Sequence, residues 1–208
     1  MEHKLPFGTF PGIFSTIDSY TKRIVHRWFD DHGTLPPWLS ELGDIVDYIE
    51  PPHWSKFATV DDEYNIRVRG EADGIFTRSD NSHFIVDYKT ARHSGNQDAL
   101  YPQYEAQLNA YAYIAEHVDL SPVTNLALIY MEPMTNERAV SSEINLREHG
   151  FAMGFESDIV HVPVEPELIR PLLALTREIY ELKQPPGREP QGSRCKDCTL
   201  TDKIRDLL

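Results

Sequence analysis

The sequence predicts an α/β fold in which helices flank a mixed central sheet. The first observation is the order of the periodic segments, which runs helix, three strand-like runs, helix and strand. The second is the alternation of apolar and polar side chains over residues 63–70, which is typical of a half-buried strand. The third is size, because 208 residues with 40% hydrophobic side chains suffice for one sizeable core.

The first helix is predicted to begin at Ser15 and to end at Gly33. Ser15 and Asp18 have the three-residue spacing of a capping box, and glycine is a common helix stop. The apolar positions that recur at helical spacing are Ile17, Tyr20, Ile24 and Trp28. The polar positions on the opposite side are Lys22, Arg23, His26 and Asp30.

A connector and three strands are predicted next. Two proline pairs bracket the connector, and a short helix is predicted near residues 39–49. The three strand-like runs are residues 63–70, 72–77 and 83–90. A turn rich in Ser, Asp and Asn separates the second run from the third, so we expect these two strands to be neighbours.

The remaining elements complete one domain. The predicted order is a helix at 102–117, a buried strand at 123–131, one or two strands within 134–164 of which the second spans 151–164, and a helix at 165–183. The apolar stripe of that last helix is Ile169, Leu172, Leu173, Leu175 and Ile179. We divide the chain into a domain at 1–183, with an N-terminal helix and connector at 1–62, a core at 63–132 and the rest at 133–183, and a tail at 184–208.

Composition narrows the function. With 33 acidic and 20 basic side chains the formal charge is −13, which argues against a protein that coats nucleic acid through bulk charge. The charge does not exclude a protein that binds nucleic acid through a few local contacts. No apolar run reaches the ~18 residues of a membrane helix, and the start shows no secretory signal. Two cysteines cannot form a disulfide framework, which agrees with a reducing compartment. We therefore expect a cytoplasmic protein, and the lack of a long apolar run predicts no membrane partner.

Two carboxylates and a lysine are predicted to meet on neighbouring strands. Asp87 and Lys89 are two residues apart on a strand, so both project to the same side. Asp73 belongs to the preceding run, and a short turn would bring it beside Asp87. Adjacent carboxylates repel each other unless a cation lies between them, and Mg²⁺ or Mn²⁺ prefers such oxygen ligands. Each motif alone is also compatible with a salt pair or a turn, but together they indicate metal-dependent phosphodiester hydrolysis.

The helix at 102–117 adds a polar pair beside this site. Gln107 and Tyr111 are one helical turn apart and share a face, with Tyr104 one turn earlier. They would position Lys89 or contact a nucleic acid strand. The alternative is that the tyrosines belong to an ordinary core stripe.

Three motifs in this order resemble the PD-(D/E)XK nuclease superfamily. They are the runs Val68-Arg69-Gly70-Glu71-Ala72-Asp73-Gly74-Ile75, Phe84-Ile85-Val86-Asp87-Tyr88-Lys89-Thr90 and Gln107-Leu108-Asn109-Ala110-Tyr111. The branch they resemble most is that of the RecB-like exonucleases, which includes the CRISPR-adaptation nucleases. The resemblance implies a restriction-endonuclease-like core and covers residues 66–115, with a fainter match at 14–29.

The resemblance also implies residue roles. Asp73 and Asp87, with the backbone carbonyl of Tyr88, would hold the metal, and Lys89 would be the catalytic lysine. Gln107 and Tyr111 would correspond to the family's helix motif beside the site. Family members often add a metal-binding histidine from the first helix, and His26 is the candidate here, with His32 as a competitor.

The cysteines depart from the family pattern. RecB-like nucleases that carry an iron–sulfur cluster use four cysteines, whereas this chain has only Cys195 and Cys198. Two thiolates cannot hold a four-cysteine cluster within one chain, so the sequence argues against an iron–sulfur cofactor. We interpret Cys195-Lys196-Asp197-Cys198 as a remnant of the cluster motif, with metal sharing between subunits or a redox pair as alternatives.

Three function hypotheses remain. The first is a metal-dependent DNA nuclease, of the exonuclease type, in recombination, repair or phage DNA processing, acting on single- or double-stranded DNA. A helicase or recombination protein would then supply any unwinding. The second is a catalytically inactive member of the same fold that acts as a nucleic-acid-binding or assembly subunit. The third is an interaction protein whose acidic surface meets a basic partner. The arginines that flank the predicted site are Arg67, Arg69, Arg78 and Arg92.

Overall fold

A five-stranded mixed sheet forms the centre of the structure, which is a computed structural model that describes residues 12–93, 95 and 100–184. The strands in chain order are β1 (Ile45–Ile49), β2 (Ala58–Asp61), β3 (Ile66–Arg69), β4 (Gly74–Arg78), β5 (His83–Lys89), β6 (Val123–Pro133), β7 (Leu146–Arg147), β8 (Gly150–Phe151) and β9 (Phe155–Val162). The order across the central sheet is β1-β4-β5-β6-β9. Among the described strands of this sheet only the β5–β6 pair is parallel. This confirms the predicted α/β fold with a mixed sheet.

Helices cover both faces of the sheet. The α-helices are α1 (Gly12–His32), α2 (Tyr101–Ala115), α3 (Glu137–Val140) and α4 (Arg170–Glu181). Buried residues of α1 pack with Phe84 and Val86 of β5, whereas buried residues of α2 pack with Ile85 of the same strand. Since successive strand residues point to opposite faces, a strand covered on both sides reads as a continuous apolar run, as β5 does up to Asp87.

The main elements around the site agree with the prediction. The structure confirms α2, β5, β6 and the strand expected within 151–164, which is β9. None of the described helices is both long enough and apolar enough to span a membrane. The tail from residue 185 onward, with Cys195 and Cys198, lies outside the described residues.

The predicted face and start of α1 are wrong. Within the described residues the helix already includes Gly12, and the Ser15 hydroxyl donates to the Gly12 carbonyl from inside the helix at 2.9 Å, so it does not cap. The stop is confirmed, because Gly33 has φ +67°. The buried residues of α1 are Thr21, Val25 and Phe29, whereas Tyr20 is 63% exposed. The physical reason is that the side carrying Lys22 faces the carboxylates described below.

Two other predictions need correction. The connector is helical only as a 3₁₀ turn at Pro37–Leu42, and its second half is β1, which pairs with β4 at the sheet edge. Gly43, with φ +89°, ends the turn and allows the chain to become extended. The run predicted at 63–70 narrows to β3, which pairs with the unpredicted β2 in a separate hairpin.

The last helix is shorter than predicted. A 3₁₀ turn at Pro166–Ile169 precedes α4. Of the predicted apolar stripe, Ile169 and Leu173 are buried against the body. Leu172, Leu175 and Ile179 are about half exposed. An amphipathic pattern fixes which side of a helix is apolar but not how much of that side the body covers.

Candidate active site

The register of β4 and β5 brings Asp73 and Asp87 together. Gly74 pairs with Val86 in this antiparallel ladder, so the next position outward opposes Asp73 to Asp87. Asp73 is anchored there, because the backbone N–H of Tyr88 donates to its Oδ2 at 2.9 Å. The meeting of the two carboxylates predicted from the sequence is therefore what the fold produces.

Asp87 is a buried carboxylate with a lysine beside it. Its side chain is 4% exposed, and Lys89 Nζ forms an ion pair with its Oδ2. Burial, together with the negative charge of Asp73, raises the pKa of Asp87 to about 6, although Lys89 and Lys22 act in the opposite direction. A buried carboxylate that holds its proton so strongly gains from a nearby cation.

The side-chain amide of Gln107 connects the site to α2. Its Nε2 donates to Asp87 Oδ1 at 3.1 Å and to the Tyr111 hydroxyl at 2.7 Å. Its Oε1 accepts from Lys89 Nζ at 3.3 Å. Lys89 Nζ also lies 4.1 Å from the centroid of the Tyr104 ring, within the range of a cation–π contact. Gln107 and Tyr104 thus contact the Lys89 ammonium group directly, and Tyr111 is linked to it through the Gln107 amide.

Tyr111 is held from the other side by a glycine. A Cβ added to Gly70 would lie 2.4 Å from Cε1 of the Tyr111 ring, so only glycine permits this approach. Phe57 packs on the same ring with a centroid distance of 5.9 Å. Burial raises the pKa of Tyr111 to about 12, so its hydroxyl stays protonated at neutral pH. The chain before Asp73 and the helix after β5 are therefore packed against each other.

A second lysine enters the site from α1. Lys22 Nζ lies 2.6 Å from Asp73 Oδ1 and 2.9 Å from Asp18 Oδ2. Burial opposes the charge of Lys22, but its hydrogen bonds to Asp73 and Asp18 outweigh burial and raise its pKa. Burial also raises the pKa of Asp18. Nothing in the sequence alone predicts a functional role for either residue, although their four-residue spacing on a helix is that of an ion pair.

A cavity of about 470 Å³ opens over these groups. Its lining includes Asp18, Asp73, Asp87, Lys89 and Tyr104. Asp18 Oδ1 is buried and accepts no hydrogen bond from the described residues, whereas the buried Asp87 Oδ2 has the Lys89 ammonium group as its ion-pair partner. Buried carboxylate oxygens of this kind fit a hard divalent cation, which takes oxygen ligands and keeps several waters. Among residues 12–93, 95 and 100–184 no three His, Cys, Asp or Glu side chains are arranged as a ready metal site.

The histidines of α1 lie apart from this cavity. His26 Nδ1 is 3.2 Å from Glu50 Oε1, and its ring stacks on Tyr48 with a centroid distance of 4.3 Å. His32 stacks on Trp28 at 4.0 Å. Lys22 and His26 are four residues apart, which is about 6 Å along α1. Lys22 therefore reaches Asp73, whereas His26 lies beside Tyr48 of β1. His26 and His32 are the candidates that the fold does not bring to the other residues.

The fold and the side chains together define a class of protein. It is an α/β protein in which two carboxylates that suit a divalent cation lie beside a lysine at the edge of the central strands. A family model described as the PD-(D/E)XK nuclease superfamily matches residues 18–202. The chain belongs to this superfamily, and its sheet and helices are consistent with the restriction-endonuclease-like fold. Members are usually metal-dependent nucleases and generally use divalent ions such as Mg²⁺. No curated protein matches the chain.

Proposed function

We propose that the protein is a metal-dependent DNA nuclease of the exonuclease type, in the RecB-like branch and without an iron–sulfur cluster. The observation that supports nuclease activity most strongly is the position of Lys89. Its ammonium group contacts both Asp87 and Gln107 at the edge of the cavity. Recombination, repair or phage DNA processing is the proposed setting, with unwinding supplied by a separate helicase or recombination protein.

Asp73, Asp87 and the backbone carbonyl of Tyr88 would hold Mg²⁺ or Mn²⁺. When bound, the cation supplies positive charge that acidifies water and stabilises the phosphoryl oxygens. His26 is left out of this ligand set because its ring stacks on Tyr48 outside the cavity. Both carboxylates are fixed beforehand, Asp73 by the backbone of Tyr88 and Asp87 by Gln107.

Lys89 is the proposed catalytic residue. Its ammonium group would donate to the scissile phosphate or to the attacking water and would stabilise the charge that develops in the transition state. Gln107 orients it through the 3.3 Å contact, and the ring of Tyr104 limits its movement on another side. Tyr111 holds the Gln107 amide in turn.

A second candidate is the catalytically inactive nucleic-acid-binding subunit. It is favoured by Lys22, whose ammonium group already neutralises Asp73 and would compete with a metal cation for that oxygen. The two candidates differ in whether divalent cations promote bond cleavage.

The test is incubation of the purified protein with end-labelled single- and double-stranded DNA in Mn²⁺, Mg²⁺ or EDTA. We expect cutting that requires metal and is lost in Lys89→Ala, with a ladder of short products if cleavage starts at an end. An Arg177→Ala variant, which removes a partly exposed cation paired with Glu181 on α4, is the matched control and should cut normally. Metal-supported binding of DNA without any cutting would replace the nuclease with the inactive subunit.

A further inference from the structure

The exposed face of the β2–β3 hairpin carries basic residues without acidic partners. Arg67 and Arg69 are two apart on β3 and are both exposed, while Ile66 and Val68 face inward. Lys56 is exposed just before β2. Among the described residues no carboxylate forms an ion pair with any of these three cations. In a chain of charge −13 this is a local positive surface.

Other arginines expected near the site are already paired. Arg78 is 2.7 Å from Asp44, and Arg92 is 3.5 Å from Glu132. Two of the three acidic residues of the hairpin are also occupied, because Asp61 accepts a hydrogen bond from Tyr113 and Glu63 pairs with Arg170, whereas Asp62 is exposed in the turn between β2 and β3. The structure thus separates two arginines that remain available for an anion from two that do not.

An aromatic side chain lies within the basic surface. Trp54 is 41% exposed, and the Arg69 guanidinium stacks on its ring at 4.6 Å from the centroid. Arg67 donates to the Ser55 carbonyl at 3.3 Å, which ties β3 to the turn that carries Trp54. The neighbouring Phe57 is fully buried and anchors that turn. Basic residues around an exposed aromatic ring are the combination that binds single-stranded nucleic acid, by phosphate contacts and base stacking.

The surface lies close to the proposed catalytic residues. Arg69 precedes Asp73 by four residues, and such a segment spans at most about 14 Å. Gly70 is hydrogen-bonded to Phe57 and touches Tyr111, so hairpin and site are packed together. A strand lying on the hairpin can therefore reach the cavity within a few nucleotides.

We propose that the exposed face of the β2–β3 hairpin, formed by Trp54, Lys56, Arg67 and Arg69, is the surface that binds single-stranded nucleic acid and leads it to the cavity. The proposal rests on the proposed nuclease function and assigns its substrate contact. The arginines and Lys56 bind phosphates, and the exposed ring of Trp54 stacks on an unpaired base.

The experiment measures fluorescence anisotropy of a labelled 20-nucleotide single strand of DNA in a Lys89→Ala background with Mn²⁺. The double variant Arg67→Ala/Arg69→Ala should bind about tenfold or more weaker, and the slope of log K against log salt should fall by roughly 1.4, since two phosphate contacts are lost. The control Arg138→Ala/Arg147→Ala makes the same charge change at exposed cations elsewhere and should bind like its parent.

Trp54→Ala tests the stacking separately. It should weaken the single strand about tenfold and a blunt duplex much less, since paired bases do not offer a free face. Circular dichroism and melting temperature should match those of the Lys89→Ala parent in the hairpin and control variants, because the further side chains that they replace are exposed.

Equal losses in the hairpin and control variants, or no loss in either, would overturn the proposal. An equal effect of Trp54→Ala on duplex and single strand would overturn the stacking part. If the hairpin variants, made in the protein that retains Lys89, cut DNA as fast as the wild type, the nuclease stands and this surface does not. If the wild type neither binds nor cuts, the proposed function fails and the inference fails with it.

Discussion

Replacing Asp87 by Asn should stabilise the metal-free protein while removing its activity. The side chain of Asp87 is 4% exposed, and burial together with the neighbouring Asp73 raises its pKa to about 6. The neutral amide removes that unfavourable charge. Lys89 keeps the Gln107 oxygen and the Tyr104 ring as partners, so its ammonium group is not left unpaired.

The size of the effect follows from the pKa of Asp87. Its rise from 3.8 in the unfolded chain to about 6 in the folded one is roughly two units, or about 3 kcal/mol at most. Because the folded-state pKa is raised, the folded protein binds the proton more tightly. The stabilisation is full below pH 3.8 and is lost as the pH rises through about 6. Asp87→Asn should therefore be more stable than wild type at pH 7.5.

Urea unfolding in EDTA between pH 4 and 7.5 measures this directly. Wild type should lose up to about 3 kcal/mol from this group over that range, and Asp87→Asn should lack that component. Asp80→Asn is the control: hydrogen bonds from Ser82 lower the pKa of Asp80, so its removal should not stabilise the protein. An Asp87→Asn variant with the wild-type pH slope, or less stable than wild type at pH 7.5, would refute the reasoning.

Three further predictions concern packing and metal binding. Gly70→Ala should push the Tyr111 ring away, lower the free energy of unfolding in urea by about 1–3 kcal/mol and slow DNA cleavage. Gly12→Ala is the control: its added Cβ meets nothing within 4 Å, so stability and cleavage should be unchanged. Tyr113→Phe removes the 2.6 Å hydrogen bond to the buried Asp61 carboxylate and should cost about 1–3 kcal/mol in urea with unchanged Mn²⁺ binding; an unchanged free energy of unfolding would contradict it. Mn²⁺ at about 100 times its Kd should stabilise the wild type by about 2.7 kcal/mol, seen as a higher melting temperature that EDTA reverses, and an unmoved melting temperature would argue against the metal site.

Local geometry explains why the central residues of the site could be predicted. Alternation along β5 places Asp87 and Lys89 on one face, and one helical turn places Gln107 and Tyr111 on another. Both rules act within a few residues, so they can be read without the fold. The meeting of Asp73 with Asp87 needed only that β4 and β5 be joined by a short turn.

The misses come from interactions that are distant in sequence. Lys22 and Asp73 are 51 residues apart, and nothing near Lys22 shows that its side of α1 faces a carboxylate. The face of a helix was inferred from its apolar stripe, but α1 buries Thr21, Val25 and Phe29 and leaves Tyr20 exposed. The strand β1 was missed because its five residues pair with β4 far along the chain. Short strands depend on their partners more than on their own sequence.

The most direct test of the account is titration of Mn²⁺ into wild type, Asp73→Asn and Lys89→Ala by calorimetry. If Asp73 and Asp87 hold the cation and Lys89 acts on the substrate, Asp73→Asn should bind Mn²⁺ at least tenfold more weakly. Lys89→Ala should bind it as well as wild type or more tightly, since a competing positive charge next to Asp87 is gone. Mn²⁺ binding that is the same in Asp73→Asn and wild type would contradict the proposed metal site.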